Sequence, residues 1–133
     1  MNVYLDASAL VKRYVAEPGS DSVRDVMGRA DGWFLCRVGF VETARAIGLS
    51  AGRSPVRAFE REWPAFGVVE VDQELVEHAS RLAVSRELRS LDALHLAAGL
   101  LLANSDLAFA TWDRRLHFAA AAEGLTVMPE RLD

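Results

Sequence analysis

The chain has 133 residues, 51% of them hydrophobic and 26% charged, the composition of a soluble globular protein and not of a disordered or fibrous one. Fifteen basic residues against nineteen acidic ones leave a net charge of -4, which argues against a general polyanion binder. One cysteine, Cys36, excludes an internal disulfide and a cysteine-based zinc site.

In chain order, Asn2–Leu5 reads as a buried strand. Ser8, a good N-cap residue, starts a helix that runs to Val15 and is closed by Glu17-Pro18-Gly19. Asp21 to Arg29 follows as a helix ended by Gly32, and Trp33–Leu35 as a short strand. Val38 to Leu49 is helical, with Gly52 as the stop. Ser54-Pro55 opens a helix from Val56 to Trp63, closed by Pro64. Val68–Val71 is a strand. Asp72 caps a helix to about Leu88, and Ser90 caps the next, Leu91 to Ala103. Leu107–Ala110 is a strand, Trp112 to Glu123 a helix with Gly124 as C-cap, and Thr126–Met128 a last short strand.

Strands separated by helices imply a parallel sheet with helices on both faces. No repeat, low-complexity tract or linker interrupts the pattern, so we expect one three-layer α/β domain over residues 1–133. No apolar run is long enough for a membrane span and no secretory leader is evident, so the expected location is cytoplasmic.

In such a sheet each helix begins at the edge where the strands end, and ligands bind along that edge. Asp6 ends the first strand with no basic neighbour. Asp113 follows the strand Leu107–Ala110, and Glu42 lies early in the helix after the second strand. Asp92 opens SLDALHLAAGLLLA, a helix apolar nearly all round and therefore buried. Acids at helix starts commonly serve as caps or dipole partners. Asp6 stands apart, because Ser8 is available to cap the first helix. Several carboxylates drawn together there would repel one another unless protonated, paired or bound to a hard divalent cation.

The blocks VYLDASALVKRY, VETARA, LRSLDALHLAA and ATWDRRL, with GLTV near the end, resemble the PIN-domain ribonucleases, and among them the VapC toxins of bacterial toxin–antitoxin pairs. The resemblance covers essentially the whole chain. It implies a five-stranded parallel sheet flanked by helices and an endoribonuclease dependent on Mg²⁺ or Mn²⁺, leaving a 5′-phosphate and a 3′-hydroxyl. It also implies a cognate antitoxin and a homodimer. Asp6, Glu42, Asp92 and Asp113 match the acidic quartet of that family, which implies that they are the catalytic and metal-binding residues. Thr111 and Ser8 match hydroxyls that support the site. Cys36-Arg37 departs from the pattern, standing where many relatives carry small hydroxyl residues.

Fourteen of the fifteen basic residues are Arg, and the remaining one is Lys12. Lys12, Arg13, Arg86, Arg89, Arg114 and Arg115 lie near the acids in sequence and are candidates to grip RNA phosphates, or else solvated surface charge. His95, three residues after Asp92, either touches the site or is a core histidine bonded to a backbone carbonyl. His78 and His117 read as surface residues, and Cys36 as a small buried side chain. Trp33, Trp63 and Phe66 stack bases or pack the core. Ile47, Leu49 and Phe59 form a dimer or antitoxin surface, or lie against the sheet. Two other functions fit less of the chain. A phospho-receiver domain also ends a strand in Asp but uses a lysine near its last strand. A non-catalytic module would keep the fold without the intact acids.

Overall fold

The computed structural model describes residues 1–103 and 106–132. Its strands are β1 (Asn2–Leu5), β2 (Gly32–Cys36), β3 (Gly67–Val69), β4 (Leu107–Ala110) and β5 (Thr126–Met128). All pair in parallel, in the spatial order β3-β2-β1-β4-β5. The helices are α1 (Ala7–Tyr14), α2 (Ser20–Arg29), α3 (Val38–Ala51), α4 (Arg53–Glu62), α5 (Gln73–Ser85), α6 (Ser90–Leu101) and α7 (Arg114–Ala122). The expected five-stranded parallel sheet with helices on both faces is therefore the fold.

Strand side chains alternate between two cores, as the two-residue period of a strand requires. Val3 and Leu5 of β1, with Leu35, Ala108 and Ala110, meet α1 to α4 through Leu10, Val23, Met27, Ile47 and Phe59. Tyr4, Cys36, Leu107 and Phe109 point the other way, onto α5 to α7 through Leu82, Ala93, Leu96 and Leu116. The strands are apolar on both faces, which explains why they read as continuous hydrophobic runs.

The sheet order reverses beside β1. The connection leaving β1 goes to one side of the sheet over one face, and that leaving β4 goes to the other side over the opposite face. Between the ends of β1 and β4 the chain therefore opens a crevice, the place where doubly wound sheets bind ligands. One close approach fixes α6 over this region. A Cβ on Gly99 would lie 2.5 Å from Cδ2 of Phe109 on β4, so only glycine lets the helix sit so near the strand.

Several boundaries differ from the sequence reading. β2 is longer at both ends. β3 covers Gly67–Val69 instead of Val68–Val71, its pairing with β2 ending at Cys36 and Val69. The helix expected from Ser54-Pro55 begins at Arg53, and its last residue Trp63 opens a separate 3₁₀ turn, Trp63–Ala65.

Candidate active site

Asp6 stands between β1 and α1 and is 3% exposed. Its Oδ1 accepts the Ala9 backbone N–H at 2.9 Å and the Ser8 hydroxyl at 2.7 Å, while Oδ2 accepts the Thr111 hydroxyl at 2.6 Å. The cap expected of Ser8 is thus made by Asp6 itself. Ser8 sits inside the first turn and bridges instead, donating to Asp6 and accepting the Trp112 N–H at 2.8 Å. Thr111 does the matching work from the end of β4, since its oxygen accepts the Asp113 N–H at 3.1 Å. Two hydroxyls therefore stitch the turn after β1 to the turn after β4. A carboxylate offers about four acceptor directions; three are filled here, which leaves one on Oδ2 for a further donor or a cation.

Asp113 caps α7, its Oδ1 accepting the Leu116 N–H at 2.9 Å. Asp92 lies in the first turn of α6, which begins at Ser90; Arg89 occupies the cap position, and no side chain caps the helix. The Arg89 guanidinium is 3.6 Å from Asp92 Oδ2 and 3.5 Å from Asp113 Oδ2. These two acids, from different helices, share one cation. Glu42, on α3, is three-quarters buried, with Oε1 2.7 Å from Nε2 of His95.

The acids feel one another. Burial pushes the Asp6 carboxyl up, opposed by nearby His95 and by its three hydrogen-bond donors. Burial also raises Asp92, and the charges of Asp113 and Asp6 raise it further against the pull of Arg89. Desolvation and like charge are the two causes expected where carboxylates converge in a crevice.

Among the described residues, no group of three or more His, Cys, Asp or Glu side chains is placed to hold a metal ion between them. Mg²⁺ does not require one, because it keeps most of its waters and takes one or two carboxylates. The open direction on Asp6, the unneutralised charge and an all-oxygen donor set suit Mg²⁺ or Mn²⁺. They do not suit zinc, which prefers nitrogen and sulfur.

His95 is a core histidine, 1% exposed, but its partners are not backbone carbonyls. Nδ1 lies 2.7 Å from the Tyr4 hydroxyl and Nε2 meets Glu42, so it belongs to the site's support. Tyr4 passed unnoticed in the sequence. The available clue was a tyrosine inside an otherwise apolar buried strand, since a buried phenol needs a hydrogen-bond partner. Burial holds its pKa well above the ordinary tyrosine value.

Lys12 and Arg13 do not join the acids. Lys12 is buried, with its ammonium held by Glu17 at 3.0 Å and the Pro18 carbonyl at 2.8 Å over the Trp112 ring. Arg13 makes a two-pronged bond to Glu62 at 2.9 Å and covers Trp33. Arg86 pairs with Glu123 at 2.7 Å. Arg89, Arg114 and Arg115 are exposed, the last two beside Asp113 in sequence. Arg114 and Arg115 continue into a surface groove of about 540 Å³ lined also by Arg86 and Phe118.

Trp33, Trp63 and Phe66 pack with Phe40 and Phe59 against the core. Ile47 and Phe59 are fully buried in the core, whereas Leu49 and Val41 of α3 are exposed. His117 is partly buried and meets the Pro129 carbonyl, and Cys36 is buried. Arg37 pairs with Glu70 on the surface, clear of Glu42's contact with His95.

Residues 3–123 match the PIN domain family. The chain belongs to that family. This PIN domain is 36% identical over 140 aligned positions to ribonuclease VapC45 of Mycobacterium tuberculosis, covering 98% of this chain and 97% of the relative. Among solved structures it is similar to VapC20 of Mycobacterium tuberculosis, described as a sarcin–ricin loop cleaving toxin, with a TM-score of 0.75 at 15% identity and 98% and 99% coverage of the two chains. A toxin–antitoxin complex from Klebsiella pneumoniae superposes with a TM-score of 0.74 at 13% identity and the same coverage. In this PIN domain no helix among the described residues is long and apolar enough to cross a membrane.

Proposed function

We propose that this PIN domain is a metal-dependent endoribonuclease, cytoplasmic, and the toxin of a toxin–antitoxin pair. The observation that carries the reading is Asp6: a desolvated carboxylate at the switch point of the sheet, wired to the turn bearing Asp113 and keeping one free acceptor direction. The near-full-length similarity to a ribonuclease VapC supports the RNA substrate. The likeness to a toxin–antitoxin complex supports an antitoxin partner.

Asp6, Asp92 and Asp113 would hold Mg²⁺ or Mn²⁺, with Glu42 as a further ligand or as the group that orients water. When bound, the ion neutralises charge on the scissile phosphate and makes a water more acidic. The chain's own residues do the rest. Ser8 and Thr111 hold the Asp6 carboxylate in place and oppose the upward push of burial on it, so it need not reorganise when substrate arrives. Arg89, exposed beside Asp92 and Asp113, would grip a phosphate next to the cut, with Arg114 and Arg115 continuing the track along the α7 groove. No side-chain base is needed.

An antitoxin that lays a basic side chain across Asp92 and Asp113 would shut the site, in the position Arg89 holds here. Exposed Val41 and Leu49 on α3 offer apolar contact for that partner or for a second copy of the chain. Purified protein without its partner should cleave RNA in Mg²⁺ or Mn²⁺. Asp6→Asn should abolish cleavage while remaining folded; full cleavage by Asp6→Asn, or in excess chelator, refutes the reading.

A further inference from the structure

Four groups, two on the sheet and two on helices packed against it, form one line of hydrogen bonds that ends on Glu42. The Cys36 backbone N–H donates to the Tyr4 oxygen at 3.1 Å. The Tyr4 hydroxyl and His95 Nδ1 are 2.7 Å apart, and His95 Nε2 is 2.7 Å from Glu42 Oε1. Both Tyr4 and His95 are essentially without solvent contact.

Donors and acceptors along this line can be matched in one way. With its oxygen already accepting from Cys36, Tyr4 has one proton to give, and the acceptor beside it is Nδ1. His95 Nδ1 is then unprotonated, and the ring carries its hydrogen on Nε2, where it donates to Glu42. If the hydrogen sat on Nδ1, the Tyr4 proton would have no acceptor and a bare ring nitrogen would face a carboxylate oxygen. Each fault would leave a buried polar group unpaired.

We propose that Tyr4 and His95 form a positioning relay that fixes one oxygen of Glu42 and leaves the other, Oε2, available to the catalytic site. Among the described residues no donor reaches Oε2. The relay gives Glu42 a rigid mount. Without it, the long Glu42 side chain has several rotamers to choose from. Tyr4 is two residues before Asp6 on β1, and His95 is three after Asp92 on α6. One buried unit thus ties Glu42 to the strand that leads into Asp6 and to the helix that carries Asp92. Hydrogen-bond partners that orient a metal-binding carboxylate typically contribute a factor of about 10–100 in metal affinity or activity. His95 does not touch RNA in this arrangement, so it is a positioning residue.

This inference rests on the metal-dependent ribonuclease reading, and the test separates the two. Mn²⁺ binding is measured by paramagnetic resonance of the free ion, and RNA cleavage by steady-state kinetics, for the wild type, His95→Leu, His95→Gln and Tyr4→Phe. His95→Leu should lose about 10–100-fold in Mn²⁺ affinity or kcat with KM for RNA unchanged. His95→Gln, whose amide can still donate to Glu42, should recover a large part of that loss. Tyr4→Phe should fall between the wild type and His95→Leu. Imidazole nitrogen NMR of the metal-free wild type should show the Nε2–H tautomer, which needs no activity and no variant that folds. A wild type that binds no Mn²⁺ and cuts no RNA overturns the functional reading and this relay with it. A wild type that does both, with His95→Leu or Tyr4→Phe indistinguishable from it in affinity and kcat, overturns the relay alone. The Nδ1–H tautomer, or equal loss in folded His95→Leu and His95→Gln, does so as well.

Discussion

The Thr111 hydroxyl reaches across 105 positions of sequence to donate to Asp6 Oδ2 at 2.6 Å. The Thr111 hydroxyl oxygen in turn accepts the Asp113 N–H. One small side chain thereby joins Asp6 to the backbone of Asp113 and ties the end of β4 to the end of β1. Thr111→Val keeps the shape and removes both bonds. It should destabilise the fold by about 1–3 kcal/mol, the cost of stranding buried polar groups, and lower kcat. Thr111→Ser should retain most of both. Denaturant unfolding alongside RNA cleavage checks this.

Asp92 gives a prediction whose sign depends on pH. Its folded pKa is raised by burial and by Asp113, so the metal-free native state holds this proton more tightly than the unfolded chain does. Its contribution to stability therefore falls as pH rises from the ordinary carboxylate value, about 4, through the raised one, and the penalty is complete above that. Asp92→Asn should accordingly raise the melting temperature of the metal-free protein at neutral pH, with the gain vanishing in acid. Mg²⁺ should stabilise the wild type and leave Asp92→Asn largely unaffected. Calorimetric melts across pH, with chelator and with Mg²⁺, measure both.

The arginines divide by what already holds them. Arg89, Arg114 and Arg115 are exposed near the acids. Replacing any one with alanine should weaken RNA binding and flatten the slope of log affinity against log salt by about 0.7 for each phosphate no longer neutralised. Lys12 is buried against Glu17 and Trp112. Lys12→Met should shift the melting temperature and leave the salt slope alone. Fluorescence titration of labelled RNA at several salt concentrations distinguishes the two groups.

Gly99 tests whether α6 must lie so close to β4. Gly99→Ala places a methyl 2.5 Å from Phe109, and overpacking of this kind costs about 1–3 kcal/mol. The push would move Asp92 and His95 with their helix, so activity should fall even at temperatures where the variant is folded. Urea melts and kinetics on the same samples give the answer.

Much of this was legible in the sequence because its strong signals are local. The strands Leu107–Ala110 and Asn2–Leu5 stand at their expected limits, since continuous apolar runs between turn residues leave few other structures open. Asp6 drew attention for a related reason: a charge at the end of a buried strand is costly and so stands out. What was missed depended on partners far apart in the chain. Asp6 itself caps α1, and only the approach of Thr111 shows why Ser8 is released from capping. Tyr4 and His95 looked like separate core residues until the sheet brought them together with Glu42. Lys12 looked free because the turn at Pro18, which folds back onto it, is invisible to a reading by neighbours.

The central claim is that the crevice between β1 and β4 holds a divalent ion on the Asp6 side of the quartet. Crystals soaked in Mn²⁺ and measured at the manganese absorption edge test it most directly. The account predicts an anomalous peak in contact with Asp6 Oδ2 and at least one of Asp92 and Asp113, lost in Asp6→Asn crystals. A peak elsewhere, or none at Mn²⁺ concentrations that support RNA cleavage, would contradict it.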